Sequence, residues 1–262
     1  MNLDLQNKNA LVCGGSRGLG KASALELAKL GANVTLLSRN EVTLQQTLIE
    51  LDTTRGQSHQ YIVADFSEGK ELLETKIKDL TKSQNIHILI NNTGGPKGGS
   101  LTDATSDEFL SAFNNHILIS HAMVNWLRPG MKKDQYGRII NIVSTSVRQP
   151  IPGLGVSNVT RGAMASWAKT LSHEIASDGI TVNNILPGST KTERLDELIS
   201  KWAEMNNKSE KQMTSDLEKE LPIGRFGRPE EIGGVVAFIA SPAASYITGT
   251  SIPVDGGKIK SI

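Results

Sequence analysis

The stretch that decides the fold is residues 9–31, NALVCGGSRGLGKASALELAKLG. Its apolar beginning, residues 9–14, predicts a buried β-strand, and the apolar spacing of about 3.6 residues over 19–31 predicts a helix. Gly14, Gly18 and Gly20 let the backbone between them turn tightly and approach a pyrophosphate, whose negative charge a helix N-terminus favours. A glycine turn directly after the first strand therefore predicts a dinucleotide-binding fold.

The rest of the chain repeats this pattern of a short apolar strand followed by a helix. Strands that are apolar throughout indicate a parallel sheet covered on both faces. We therefore expect one α/β domain over residues 1–262, a doubly wound Rossmann fold of seven parallel strands with helices on both faces. Strands are predicted at 9–14, 33–38, 59–66, 86–92, 137–144, 180–186 and 250–254, and helices at 19–31, 41–55, 68–83, 106–127, 155–178 and 229–240.

The composition narrows the class of protein. The 28 Lys and Arg residues almost balance the 27 Asp and Glu residues, so nothing favours a nucleic-acid or membrane-surface binder. The single cysteine, Cys13, excludes an intramolecular disulfide and a cysteine metal cluster, and we expect no metal site. The N-terminus has no long apolar run, and no stretch is long enough to span a bilayer. We expect a cytoplasmic protein.

Residues 189–221 interrupt the alternation of strands and helices. The segment is charged, carries Trp202, Met205 and Met213, and is too long for a plain connection. Loops at the carboxyl ends of strands are where such folds place substrate contacts, which favours a helical lid over the binding crevice. The alternative is a solvated helical insertion.

The end of the second predicted strand bears on which dinucleotide binds. An NAD site usually has an acidic residue there, against the ribose hydroxyls. This chain has Ser38 and Arg39, with no carboxylate before Glu41, and Arg17 lies in the glycine turn itself. Two guanidinium groups favour a 2′-phosphate, and hence NADP(H), unless both are simply solvated surface arginines.

Four motifs resemble those of the short-chain dehydrogenase/reductase family: GGSRGLG (14–20), NNTG (91–94), PGSTKT (187–192) and YITGTSIPVDGG (246–257). The resemblance covers essentially the whole chain and is closest to β-ketoacyl-carrier-protein reductase-like members. It implies carbonyl reduction with a nicotinamide cofactor. Together with the charge pattern it assigns to NADP(H) the residues Gly14, Ser16, Arg17, Gly18, Leu19, Gly20, Ser38, Arg39, Asp65, Phe66, Asn92, Gly94, Arg161, Pro187, Gly188 and Thr192.

The catalytic positions of the family are filled differently here. Ser144 matches the family serine, whereas Ser157 falls where the proton-donating tyrosine stands, Arg161 where the lysine stands, and His116 where an asparagine stands. Residues NNTGGPKGG (91–99) and VRQPIPGLGVSNVTR (147–161) resemble a divergent subgroup without the usual set. A serine hydroxyl is a far weaker acid than a phenol, and Arg161 stays protonated, although it can lend charge to the ribose or to a developing alkoxide.

Each of these catalytic candidates also has an ordinary structural interpretation. His116 titrates near neutral pH and could donate a proton through water, or it could be a helix histidine bonded to backbone. Ser157 could cap a helix, and Ser144 could be a turn serine. For Arg161 we expect a role in the site, because residues i and i+4 share a helix face.

Three loop residues, Lys97, Arg148 and Gln149, could join Arg161 in making the crevice positive. An anionic substrate, such as a carboxylate or a 3-oxoacyl thioester on a phosphorylated carrier, would fit such a crevice. The alternative is scattered loop charge without a role in binding.

Two functions remain open. The first is an NADP(H)-dependent oxidoreductase for a small carbonyl or alcohol substrate with a rebuilt proton relay. The second is a non-catalytic NADP(H)-binding module, a sensor or partner subunit, which the missing tyrosine and lysine motivate. The family resemblance further implies a homodimer or homotetramer formed through the helices at 106–127 and 155–178, whose apolar stripe could instead be core.

Overall fold

The predicted seven-stranded parallel sheet is confirmed. The structure is a computed structural model and describes residues 1–66 and 69–261. All pairings between neighbouring strands are parallel, in the order β3-β2-β1-β4-β5-β6-β7. This is the Rossmann-type order, in which strands are added on both sides of β1. The strands are β1 Asn9–Cys13, β2 Asn33–Ser38, β3 Gln60–Val63, β4 Ile88–Asn91, β5 Gly137–Ile142, β6 Ile180–Pro187 and β7 Ser251–Val254.

Helices follow the strands and cover both faces of the sheet. They are α1 Gly18–Lys29, α2 Glu41–Glu50, α3 Lys70–Ser83, α4 Ser106–Phe113, α5 Ile119–Lys133, α6 Gly155–Ile175, α7 Glu193–Met205, α8 Glu210–Lys219 and α9 Pro229–Ala240. A π-helical turn, Asn114–Leu118, joins α4 to α5. The predicted helix 106–127 therefore contains this turn, and α5 extends beyond its predicted end to Lys133.

Side-chain hydrogen bonds to backbone explain why some predicted elements were too long. The predicted helix 41–55 ends at Glu50, because the Asp52 carboxylate accepts the backbone N–H of Thr54 and forms a turn. The predicted strand 137–144 ends at Ile142, and Ser144 caps a short 3₁₀ turn. The predicted helix 68–83 is observed from Lys70. Its predicted first residue lies outside the described residues, as do 67 and 262 of the predicted domain 1–262.

The central strand β1 shows how the sequence builds two cores. Ala10 and Val12 pack into one buried apolar cluster with α1 and α9, whereas Leu11 and Cys13 pack into another with α3, α5 and α6. Successive strand residues point to opposite faces of the sheet, so a strand apolar at every position belongs between two helical layers. No helix among the described residues is long and apolar enough to cross a membrane.

The segment 189–221 contains the two helices α7 and α8. The apolar side chains of α7 and α8 pack on each other in a small cluster of their own, which includes Leu195, Ile199 and Met213. Met205 at the end of α7 is 79% exposed. Met164 on α6 lies in the core, and Trp167 and Leu171 are partly buried against it.

A row of buried amides crosses the sheet near its carboxyl edge. Asn91, Asn141 and Asn184 lie opposite one another in β4, β5 and β6. The Asn91 side-chain amide donates to Asn141 Oδ1 at 2.8 Å, and the Asn141 side-chain amide donates to Asn184 Oδ1 at 2.8 Å. Because each buried amide has a partner, the row fixes the register of the strands beneath the crevice.

Candidate active site

The glycine turn between β1 and α1 has the backbone geometry that its sequence predicts. Gly14 and Gly18 have φ angles of +61° and +55°, a region that favours glycine. A Cβ on Gly20 would lie 2.1 Å from the carbonyl oxygen of Gly14. No residue with a side chain fits there without movement of the turn. Helix α1 therefore starts directly against the end of β1.

The first turn of α1 leaves its backbone donors available. Its N-cap residue, Arg17, makes no side-chain capping hydrogen bond. The N–H groups of Gly18, Leu19 and Gly20 have no partner within the helix, as is general for first-turn donors. Such an end favours an anion. Asn92 supports the turn from the next strand along the sheet, because its side-chain amide donates to the carbonyl oxygens of Cys13 and Gly14 at 3.3 and 3.4 Å.

The polar residues at the end of β2 lie beside this turn. The hydroxyls of Ser16 and Ser38 are 2.9 Å apart and hydrogen-bonded. The two arginines of interest are each engaged by a carboxylate. Arg17 pairs with Glu193 at 2.8 Å, and Arg39 lies 3.7 Å from Asp65.

Both guanidinium groups are nonetheless accessible, because the side chains of Arg17 and Arg39 are 65% and 69% exposed. Exposed ion pairs of this kind contribute only about 0.2–1 kcal/mol, so a strongly charged ligand can replace the carboxylates.

The remaining predicted cofactor residues lie at or after the carboxyl ends of β3, β4 and β6. Thr192 caps α7, and its methyl group lies 3.7 Å from the position of a Cβ on Gly18. Gly188 is held against Asp255, whose Cα would lie 2.6 Å from a Cβ at that position. Phe66 packs against the core cluster below, Pro187 ends β6, and Gly94 has open space around it.

Arg161 is the most unusual residue of the crevice. It lies on α6, is only 9% exposed, and donates through Nη1 to the carbonyl oxygen of Ile142 at 3.0 Å. Its buried Nε has no hydrogen-bond partner, and no carboxylate in residues 1–66 or 69–261 pairs with it. Burial lowers the pKa of Arg161 to about 10, which leaves it a cation at neutral pH. An unpaired buried cation is costly, so this position favours an anionic ligand or product.

His116 lies in the π-helical turn between α4 and α5. π-helical turns are rare and concentrate at functional sites. The ring Nδ1 is hydrogen-bonded to the hydroxyl of Thr93, in the loop after β4, so its partner is a side chain rather than the backbone. Burial, and secondarily the charge of Arg161, lower the pKa of His116 to about 3. The imidazole is therefore neutral at physiological pH.

The two serines differ in how they are engaged. Ser144 Oγ accepts the backbone N–H of Ser146 at 3.0 Å and caps the 3₁₀ turn Thr145–Val147. Ser157 lies in the first turn of α6 and is half-buried, but the N-cap of that helix is Leu154. Ser157 is therefore not the helix cap that local sequence favours, and its hydroxyl has no partner among the described residues.

The loop after β4 and the segment before α6 are joined by backbone hydrogen bonds. Gly99 N–H donates to the carbonyl of Gly153 at 2.8 Å, and Gly155 N–H donates to the carbonyl of Gly99 at 3.1 Å. The charged loop residues Lys97 and Arg148, together with Gln149, are exposed.

Three site features escape local sequence patterns: Thr93 beside His116, Glu193 beside Arg17, and Gly95, where a Cβ would lie 3.8 Å from Arg161 Nη2. Glu193 is 176 residues from Arg17 in the chain, so no local pattern could have paired them. Thr93 lies within the NNTG motif, but its contact with His116 joins residues 23 positions apart.

Residues 14–258 match a family model described as enoyl-(acyl carrier protein) reductase. The chain belongs to the short-chain dehydrogenase/reductase family. Within this family, the 3-oxoacyl-(acyl-carrier-protein) reductase FabG of Pseudomonas aeruginosa is 31% identical over 255 residues, covering 97% of this chain and 98% of that protein.

Two further members of the short-chain dehydrogenase/reductase family match the whole chain. The NADPH-dependent reductase BacG of Bacillus subtilis is 27% identical over 259 residues, covering 98% of this chain and all of that protein. The structure of L-sorbose reductase from Gluconobacter frateurii, complexed with NADPH and L-sorbose, superimposes with a TM-score of 0.92 at 27% identity, and covers both chains fully. The fold and the family are thus shared with reductases.

Proposed function

We propose that this chain is an NADP(H)-dependent oxidoreductase that interconverts a carbonyl and an alcohol in a small molecule. The observation that carries the proposal is the glycine turn at the uncapped start of α1, flanked by Arg17 and the accessible Arg39. The relatives described as NADPH-dependent or complexed with NADPH support this cofactor.

The cofactor residues divide into three groups by what they would contact. The N–H groups of Gly18, Leu19 and Gly20 face the pyrophosphate, and Arg17 and Arg39 exchange Glu193 and Asp65 for the 2′-phosphate. Asn92 holds the turn from behind. The residues that we assign to the remaining parts of the dinucleotide are Ser16, Ser38, Asp65, Phe66, Gly94, Arg161, Pro187, Gly188 and Thr192.

The bound nicotinamide supplies or accepts the hydride, and the side chains of the crevice manage the charge that results. Arg161 stands where the family resemblance has a lysine, and Ser157 where it has a tyrosine. We propose that Arg161 stabilises the developing oxyanion of the substrate electrostatically, and that Ser144 hydrogen-bonds the carbonyl. Ser157 lies one helical turn before Arg161 and completes the polar wall.

His116 does not supply a proton as an imidazolium in this proposal. Its pKa of about 3 and its bond to Thr93 leave it neutral, so its second ring nitrogen is available to orient a water molecule. The exposed Lys97 and Arg148 act through solvent and are screened by salt, which makes the buried Arg161 the dominant charge of the site.

We propose that residues 189–221 form a lid. Two contacts support this role, because α7 reaches both sides of the crevice: Glu193 pairs with Arg17 of the glycine turn, and Arg194 donates to the carbonyl of Pro96 at 3.5 Å. An arrangement held by exposed polar contacts can open and close at small cost.

We further propose that the chain is a homo-oligomer through the α4–α6 side. Leu110, Phe113 and Leu118 on the α4–α5 connection are 44–68% exposed, and Val159 on α6 is 48% exposed. An apolar surface of this kind is typical of an interface. The test compares the molecular mass of the unchanged chain with that of Phe113→Arg, by sedimentation or size-exclusion chromatography. We expect a smaller assembly for the variant, and equal masses would contradict the proposal.

The experiment that tests the oxidoreductase proposal is turnover of NADPH with a broad panel of ketones, diketones and quinones. We expect turnover with at least one member, and a loss of about 10²–10³-fold in kcat in Arg161→Met. NADPH binding without turnover of any panel member would favour the non-catalytic module instead. In that case Ser157→Tyr combined with Arg161→Lys should create activity that the unchanged chain lacks.

A further inference from the structure

The crevice combines a buried cation with a lack of proton donors. Arg161 is fixed by Ile142 and keeps its charge, His116 is neutral and bonded to Thr93, and Ser144 and Ser157 are alcohols, which are very weak acids. Such a site stabilises negative charge on an oxygen atom without protonating it in the same step.

We infer that the substrate is a quinone, an inference that rests on the proposed NADP(H)-dependent function. Reduction of a saturated ketone leaves an alkoxide, a strong base that needs a proton donor in the reacting complex. Reduction of a quinone leaves a phenolate, whose conjugate acid has a pKa of only about 10 by comparison with tyrosine. A fixed cation is sufficient to stabilise that product.

The reaction balances without an acid from the protein. The quinone takes up the hydride on one oxygen, where it becomes a hydroxyl hydrogen, and NADPH is oxidised to NADP⁺. The electron pair moves through the ring, which becomes aromatic, and the second oxygen is left as a phenolate facing Arg161. Bulk water protonates this oxygen after the hydroquinone is released.

Arg161 lies beside a glycine-rich stretch of the loop after β4. A Cβ on Gly94, Gly99 or Gly153 would meet no atom within 4 Å, and one on Gly95 would meet only Arg161 Nη2, at 3.8 Å. At Gly94 and Gly95 the loop after β4 therefore presents backbone rather than a side chain. Peptide planes without side chains suit a planar aromatic ring, and Gly95 lies close to the guanidinium group.

An equilibrium experiment tests the phenolate site without turnover. 4-Nitrophenol changes colour when it ionises, so its pKa can be measured by absorbance in the presence of the protein with NADP⁺. We expect the pKa of the bound phenol to fall by one unit or more, which is a tenfold or larger preference for phenolate. The shift should persist in Arg161→Lys and vanish in Arg161→Met. Equal binding of phenol and phenolate by the unchanged chain would overturn the inference.

Turnover of a matched pair of substrates separates this inference from the proposed function. 1,4-Naphthoquinone and 1-tetralone share a bicyclic skeleton, but only the quinone yields a phenolate. With NADPH, and after subtraction of the enzyme-free rate, we expect kcat/KM for the quinone to exceed that for tetralone by 100-fold or more. Comparable rates with both would overturn the quinone inference and leave the oxidoreductase function standing.

The other outcomes of this experiment are equally decisive. NADPH binding without reduction of either compound would overturn the quinone inference, and no binding of NADPH would overturn the proposed function itself. Ser157→Tyr with Arg161→Lys restores a proton donor, so this variant should gain tetralone reduction if the inference is correct. A folded, NADPH-binding double variant with unchanged preference would contradict it.

Discussion

Substitution of Gly20 by alanine should destabilise the chain even though alanine is the better helix former. The new Cβ would lie 2.1 Å from the carbonyl oxygen of Gly14 and 2.7 Å from Asn92 Nδ2, whereas an ordinary contact begins at 3.4 Å. The nearest atom belongs to backbone, so no side-chain rotation relieves the clash, and overpacking of this kind costs up to about 3 kcal/mol. The higher helix propensity of alanine offsets about 1 kcal/mol of this cost. We therefore expect the free energy of unfolding to fall by about 2 kcal/mol.

The assay is urea unfolding followed by circular dichroism, with Gly234→Ala as the matched control. Gly234 lies in α9, a helix of the same length as α1, and a Cβ there would meet no atom within 4 Å. The control should be unchanged or stabilised by up to about 1 kcal/mol. If Gly20→Ala proves as stable as Gly234→Ala, the close packing of α1 against the glycine turn is wrong.

Three further predictions test the buried polar groups. Asn141→Ala should lower the free energy of unfolding in urea by about 2–4 kcal/mol, because it removes the acceptor of the buried Asn91 amide and the donor to Asn184 Oδ1; a loss below 1 kcal/mol would contradict the amide row. Because the pKa of His116 is lowered in the folded state, its contribution to the free energy of unfolding is fully present above about pH 6.5. This contribution is lost as the pH falls toward 3. Over that range the free energy of unfolding should therefore change less steeply with pH in His116→Asn than in the unchanged chain, by up to about 1.4 kcal/mol per pH unit. Equal slopes in the two proteins would refute a buried neutral imidazole. Cys13 is buried and its thiol pKa is raised to about 12, so it should resist an aromatic disulfide reagent in buffer and react in urea; fast reaction of the folded chain would contradict its burial.

Local sequence patterns predicted the elements whose boundaries are set by local chemistry. The strand 33–38 and the helix 229–240 are observed with their predicted bounds, the helix because Pro229 suits a first helical position. The glycine turn was also predictable, since positive φ angles at Gly14 and Gly18 require glycine.

Features that depend on contacts distant in sequence could not be predicted in this way. The amide row depends on the register of three strands, and its hydrogen bonds join residues 50 and 43 positions apart. The lack of a carboxylate partner for Arg161 likewise emerges only when the surroundings of α6 are known. The sequence predicted a site role for this arginine, but not its burial.

The measurement that tests the central claim most directly is a fluorescence titration of the chain with NADPH and with NADH, repeated for Arg17→Ala. We expect micromolar binding of NADPH, much weaker binding of NADH, and a tenfold or larger loss of NADPH affinity in the variant with little change for NADH. Equal affinities for the two dinucleotides would contradict the role of Arg17 and Arg39. No binding of either would contradict a nucleotide site at the glycine turn altogether.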